Sequence, residues 1–112
     1  MEELRRGATL ADIQRYVAEL ETQRGFADQT AVQKCLLMGE EMGELFKAVR
    51  KREGLPIDCE AGALPIADEL ADLIIYLCAV ANRYGVDLEE AFRAKERVNM
   101  ARNWMVAPAP AS

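Results

Sequence analysis

Histidine is absent from the 112 residues. That absence removes Ser-His-Asp and Cys-His catalysis. It also removes the common zinc sites and the Glu-x-x-His di-iron arrangement of carboxylate bundles. Acid–base chemistry must therefore run on carboxylates, lysine, tyrosine, cysteine or metal-bound water. Aromatic residues are scarce, at 6%, so a core must be built mainly from Leu, Ile, Val, Ala and Met. Only three cysteines occur, Cys35, Cys59 and Cys78. They are odd in number and form no C-x-x-C pair, which argues for reduced thiols in a cytoplasmic protein over a disulfide framework. Cys35 and Cys78 sit in apolar runs and read as small core residues. Cys59 falls in a predicted loop with no basic neighbour to activate it. The N-terminus lacks the apolar segment of a signal peptide. The longest apolar run, Leu73 to Ala81, is about half of what a membrane span needs.

What is present is helical and acidic. Nineteen acids stand against fourteen bases, a net charge of −5, so the chain lacks the cationic surface that a general nucleic-acid binder needs. Hydrophobic residues make up 51%, enough for the core of one all-α domain over 1–106, followed by a disordered tail, 107–112. Four helices are predicted, in a four-helix bundle-like arrangement. Thr9 with Asp12 resembles a capping box, and Leu10, Ile13, Tyr16, Val17 and Leu20 then recur at helical spacing up to Gly25. Asp28 or Thr30 caps a second helix running to about Glu53. Gly54, Pro56, Gly62 and Pro65 punctuate a loop over 54–64. Pro65 opens a third helix that ends near Gly85. Asp87 to Glu90 is a capping box for a fourth, through about Arg102 or Trp104. The third helix is apolar on every face between Leu73 and Ala81, so it needs cover on all sides. One small domain cannot supply that, which implies packing against a second subunit, as a homodimer or homotetramer.

The two long central helices carry the chemistry. Glu41 and Glu44 are three residues apart, as are Glu69 and Asp72, so each pair shares one helical face. The acids interrupt otherwise largely apolar stripes: Leu37, Glu41, Glu44 and Ala48 on one helix, Ile66, Glu69, Asp72, Leu73 and Tyr76 on the other. Burying such charges uncompensated costs on the order of several kcal/mol per ion. A divalent cation is the simple remedy, and an all-carboxylate set suits Mg²⁺ or Mn²⁺ better than zinc or copper. The plainer reading is a solvated acidic face, with Glu44 paired to Lys47 or Lys51 at the surface.

The segments Leu37-Met-Gly-Glu-Glu-Met-Gly-Glu-Leu45 and Ile66-Ala-Asp-Glu-Leu-Ala-Asp-Leu-Ile-Ile-Tyr-Leu77, with Ala81 through Phe92 and then Lys95 and Asn99, resemble the MazG-like family of all-α nucleoside triphosphate pyrophosphohydrolases. That family includes dimeric dUTPases, dCTP pyrophosphatases and phosphoribosyl-ATP pyrophosphatases. The resemblance covers about residues 28–104. It implies that Glu41, Glu44, Glu69 and Asp72 ligate Mg²⁺ at the substrate phosphates and that Glu40 holds or polarises the attacking water. It further implies Lys95 and Asn99 as phosphate or sugar contacts, Tyr76 against the sugar, Arg83 on a phosphate and Phe26 on the base. The implied products are a nucleoside monophosphate and pyrophosphate, in nucleotide-pool house-cleaning.

Each residue also has a plainer role: Tyr76 in the core, Lys95 in an ion pair, Phe26 as a hydrophobic staple. Two other functions compete. One is phosphoribosyl-ATP pyrophosphatase within the same superfamily. The other is a non-enzymatic helical dimerisation module whose acids merely bind a stabilising cation or a basic partner. The five acids of the two clusters equal the net excess of −5, so the rest of the chain is formally neutral.

Overall fold

The computed structural model describes residues 1–55 and 65–102. The predicted loop residues 56–64, with Cys59, and residues 103–112, with Trp104 and the tail, lie outside them. The described residues form four α-helices in chain order: α1 (Leu10–Arg24), α2 (Ala31–Arg52), α3 (Ile66–Arg83) and α4 (Leu88–Met100).

Local chemistry sets the helix starts. The Thr9 hydroxyl accepts the Asp12 N–H while the Asp12 carboxylate accepts the Thr9 N–H, a closed capping box. Thr30, not Asp28, caps α2, in a second closed box with Gln33. Pro65 stands just before α3 rather than as its first residue. Asp87 accepts the Glu90 N–H at the start of α4. Gly25 closes α1 at φ 79°, a left-handed conformation that costs a side chain more than it costs glycine.

Helix α3 is the centre. Helix α2 runs along it, α1 packs on it, and α4 leans on α1. The core between α1 and α3 holds Val17, Leu20, Cys78 and Ala79, flanked by Ile13, Tyr16, Ile75 and Leu88. Cys78 is fully buried as predicted, and burial pushes its thiol pKa up, which makes it unreactive. Cys35 is a correction: it is exposed, next in the chain to the equally exposed Leu36 of α2. Gln14 ties α1 to the α3–α4 turn. Its amide donates to Asn82 Oδ1 (3.0 Å) and Val86 O (2.6 Å) and accepts the Leu88 N–H (2.9 Å). Among the described residues, no helix is long and apolar enough to cross a membrane.

The core is thin, with Val17 and Leu20 its only large aliphatic members below a tenth exposure in the α1–α3 cluster. Each such side chain stabilises by about 1.5–3 kcal/mol. Long apolar stripes remain outside it. On α2, Val32 (66% exposed), Leu36 (68%) and Phe46 (65%) lie outward with Gly39 and Gly43 between them. The spacing of four, three, four and three is that of a helix–helix seam. On α3, Leu70, Ile74 and Leu77 form a second exposed stripe at the same spacing.

Candidate metal and substrate site

The packing of α2 on α3 brings two of the predicted stripes face to face. Leu37, Ala48, Ile66 and Leu73 are buried or half-buried along it, and the acids sit among them. Glu41 from α2 and Glu69 and Asp72 from α3 place carboxylate oxygens within 4.8 Å of one another. Glu69 is buried, and its Oε2 has no hydrogen-bond partner among the described residues. Glu41 has its pKa raised by burial, by sharing a hydrogen bond with Glu69, and by the charges of Asp72, Glu69 and Glu44. No ion pair joins these three acids to a lysine or arginine among the described residues. Three converging carboxylates, one of which also carries a buried oxygen without a partner among the described residues, fit a hard divalent cation. Glu44 and Glu40 are exposed and lie outside the converging group. Glu44's charge still reaches Glu41, and Glu40's reaches Tyr76.

Beside the acids is a cleft of about 290 Å³ between α1, the α1–α2 turn, α2 and α3. Asp72, Tyr76, Phe26, Lys34, Gln29 and Glu21 are among its lining residues. Tyr76 and Phe26 thus share this cleft with Asp72 of the acidic group. Burial raises the Tyr76 pKa, and the Glu41, Asp72 and Glu40 charges raise it further.

Two buried charges in this cleft, Glu21 and Lys34, carry no signal in the sequence that singles them out. Glu21 Oε2 accepts from Lys34 Nζ at 3.1 Å and from the Arg83 guanidinium at 2.8 Å. Lys34 lies over the Phe26 ring (5.2 Å to the centroid) and the Tyr76 ring (5.5 Å), a cation–π arrangement on both. Arg83 is a correction. Its guanidinium is spent on both Glu21 oxygens and on the carbonyls of Gln29 (2.6 Å), Phe26 (3.0 Å) and Ala79 (2.9 Å). It holds the α1–α2 turn against α3 and has no donor left for a phosphate. Lys95 and Asn99 lie on α4, which packs on α1 and not along the acid-bearing pair. Neither lines the cleft.

The chain is similar to known proteins in sequence and in structure. The family model described as phosphoribosyl-ATP pyrophosphohydrolase matches residues 10–99. A dATP/dGTP diphosphohydrolase from Cyanophage S-2L is 37% identical over 65 residues, 58% of this chain and 50% of the relative, so the chain spans about half the length of that relative. The uncharacterised protein YvdC of Bacillus subtilis (strain 168) is 29% identical over 78% of this chain and 89% of its own length. The crystal structure of iMazG from Vibrio DAT 722 superposes with a TM-score of 0.63 at 29% identity, covering 87% of this chain and 100% of that one. The chain belongs to the phosphoribosyl-ATP pyrophosphohydrolase family, within the MazG-like all-α pyrophosphohydrolases.

Proposed function

We propose that the protein hydrolyses (deoxy)nucleoside triphosphates to a nucleoside monophosphate and pyrophosphate in a Mg²⁺-dependent reaction. The observation that carries this is the convergence of Glu41, Glu69 and Asp72, with an orphaned Glu69 oxygen, where Asp72 also lines a cleft shared with Phe26 and Tyr76. Glu41, Glu69 and Asp72 would hold the cation, with Glu44 one turn away as the fourth carboxylate. Mg²⁺ or Mn²⁺ bound there would neutralise both the acids and the triphosphate and lower the pKa of a water. Glu40, exposed beside the group, takes the proton of the attacking water, so no histidine is required. The water oxygen adds at the α–β linkage, the bridging P–O bond breaks, and pyrophosphate leaves. The relative named for dATP and dGTP supports a nucleotide-pool role. The family model's description keeps phosphoribosyl-ATP as the second substrate to test.

A panel of ribo- and deoxyribonucleoside triphosphates and phosphoribosyl-ATP, with and without Mg²⁺, checks the reading. The expected products are monophosphate and pyrophosphate, with turnover lost in a chelator. Appearance of diphosphate and phosphate would sink the α–β assignment. Turnover of phosphoribosyl-ATP alone would select the second substrate, and no hydrolysis at all would leave the helical-module reading.

We further propose that the exposed stripes on α2 and α3 are covered by other copies of this chain. The seam of Val32, Leu36, Gly39, Gly43 and Phe46 has the spacing and the small central residues of a close helix pair. Contiguous apolar surface of this kind is rare on monomers. On this reading Lys95 and Asn99 meet the phosphates across an interface between copies. The variant Ile74→Glu is expected to lower the mass in sedimentation by at least one protomer and to reduce kcat with it. A variant that stays assembled, or is monomeric and fully active, would contradict this.

A further inference from the structure

Arg24 stands in the last turn of α1 and lines the cleft, one helical turn from Glu21, which lines it too. The residue is exposed, so a ligand in the cleft can reach it. The other charges of the cleft are committed. Lys34 pairs with Glu21, Arg83 takes both Glu21 oxygens, and Asp72 belongs to the converging acids. Among the described residues Arg24 forms no ion pair and no side-chain hydrogen bond, although Glu21 and Asp72 border the same cleft. All five N–H donors of its guanidinium are therefore open to a ligand. A cation in a last turn suits the helix dipole wherever its side chain lies. What singles out Arg24 is that it borders this cleft with its charge unmatched. On the triphosphate reading the phosphates lie at Glu41, Glu69 and Asp72. A cleft of about 290 Å³ is at the lower end of ligand sites, with room for a base but not for the whole triphosphate. The base then enters the cleft, and Arg24, unpaired with the acids, is the cation left to meet its edge.

We propose that Arg24 is a specificity-determining residue that selects guanine, its guanidinium donating two hydrogen bonds to the O6 and N7 acceptors of the base. This deepens the triphosphate reading and rests on it. A guanidinium has donors and no acceptor, so it favours a base edge made of acceptors. Guanine places O6 and N7 side by side, which matches the guanidinium fork. Adenine keeps N7 but replaces O6 with an amino group, whose N–H would be driven against the Arg24 donors. On the same edge thymine offers one acceptor and cytosine a donor. The preferred substrate is therefore the guanine nucleoside triphosphate.

The test separates binding from turnover. Non-hydrolysable α,β-methylene analogues of dGTP, of dATP and of 7-deaza-dGTP, which lacks the N7 acceptor, are titrated into the full chain with Mg²⁺ by calorimetry. Hydrolysis of the natural triphosphates is measured separately. The dGTP analogue is expected to bind at least about fivefold tighter than either of the others. Arg24→Met should bring the three within about twofold of one another. Arg24→Lys, which keeps the charge and loses the fork, should fall between. Because Arg24 is exposed, both variants should melt within about 2 °C of the natural protein. Equal affinities in the natural protein, or no binding of any analogue, overturn the assignment. So does a preference kept by Arg24→Met with all three analogues weakened alike, which would put the guanidinium on the phosphates. A larger fall in melting point in both variants would make Arg24 structural and overturn it too. Turnover without a guanine preference overturns this inference alone. A preference without turnover supports it and overturns the hydrolase reading.

Discussion

Glu41→Gln is expected to lower kcat/KM with Mg²⁺ by at least about 10²–10³-fold, a loss of roughly 3–4 kcal/mol of transition-state stabilisation. The substitution keeps the side chain's size and removes one of three carboxylates whose oxygens lie within 4.8 Å of one another. Asp72→Asn should behave alike, because both acids belong to the same group. The fold should not suffer. Glu41's pKa is raised by burial and then by its contact with Glu69 and by the neighbouring acids, so ionised Glu41 is a strain on the metal-free protein. The sign follows from linkage. A raised folded pKa means that the folded state binds more protons than the unfolded one, so metal-free stability falls as pH rises through and above the ordinary value of 4.5. Relative to the natural protein, metal-free Glu41→Gln should therefore gain stability as pH rises. Added Mg²⁺ should raise the melting point of the natural protein by linked binding, and raise that of the variant less. Full turnover by Glu41→Gln would remove this residue from the site.

The acids were legible because two local rules suffice to find them. Spacing put each pair on one face, and the apolar neighbours Leu37, Ala48, Ile66 and Leu73 turned Glu41, Glu69 and Asp72 inward, while Glu44, at the edge of its stripe, stays exposed. The caps at Thr9 and Thr30 were legible for the same reason, since a capping box is complete within four residues. Between Asp28 and Thr30 the choice fell to Thr30, whose partner Gln33 returns the second hydrogen bond. What was hidden is non-local. Lys34 is a helix-surface residue by type, and its burial depends on Glu21 and two rings supplied by other elements. Arg83 meets Glu21 across 62 residues of chain, so its charge alone suggested a phosphate. Cys35 failed for another reason. An apolar stripe has the same pattern whether it faces a core or is left exposed, and α2 has one of each.

Glu21→Gln is expected to destabilise the protein by about 3 kcal/mol at pH 7, because it leaves two buried cations without their shared anion. Glu21, Lys34 and Arg83 have side-chain exposures of 5%, 6% and 13%, so water cannot take the carboxylate's place. For a domain of this size the melting point should fall by at least about 10 °C. The three members are not equivalent. Lys34→Met removes one cation and leaves Glu21 and Arg83 as a two-pronged neutral pair, so it should cost least. Arg83→Met strands the carbonyls of Phe26, Gln29 and Ala79 as well and should fall between. The pH dependence fixes the cause. Burial alone would raise the Glu21 pKa, but hydrogen bonds and charge from Arg83 and Lys34 outweigh it and the net shift is downward. A depressed folded pKa contributes stability that is fully present above the ordinary value of 4.5 and is lost as pH falls through the folded pKa. The difference between the natural protein and Glu21→Gln, measured by denaturant unfolding, should therefore be constant near neutrality and close in acid. A difference that held its size in acid would mean that Glu21 acts by packing and not by charge. Since Arg83 holds the turn that carries Phe26 and Gln29, the same variant should raise KM more than it lowers kcat.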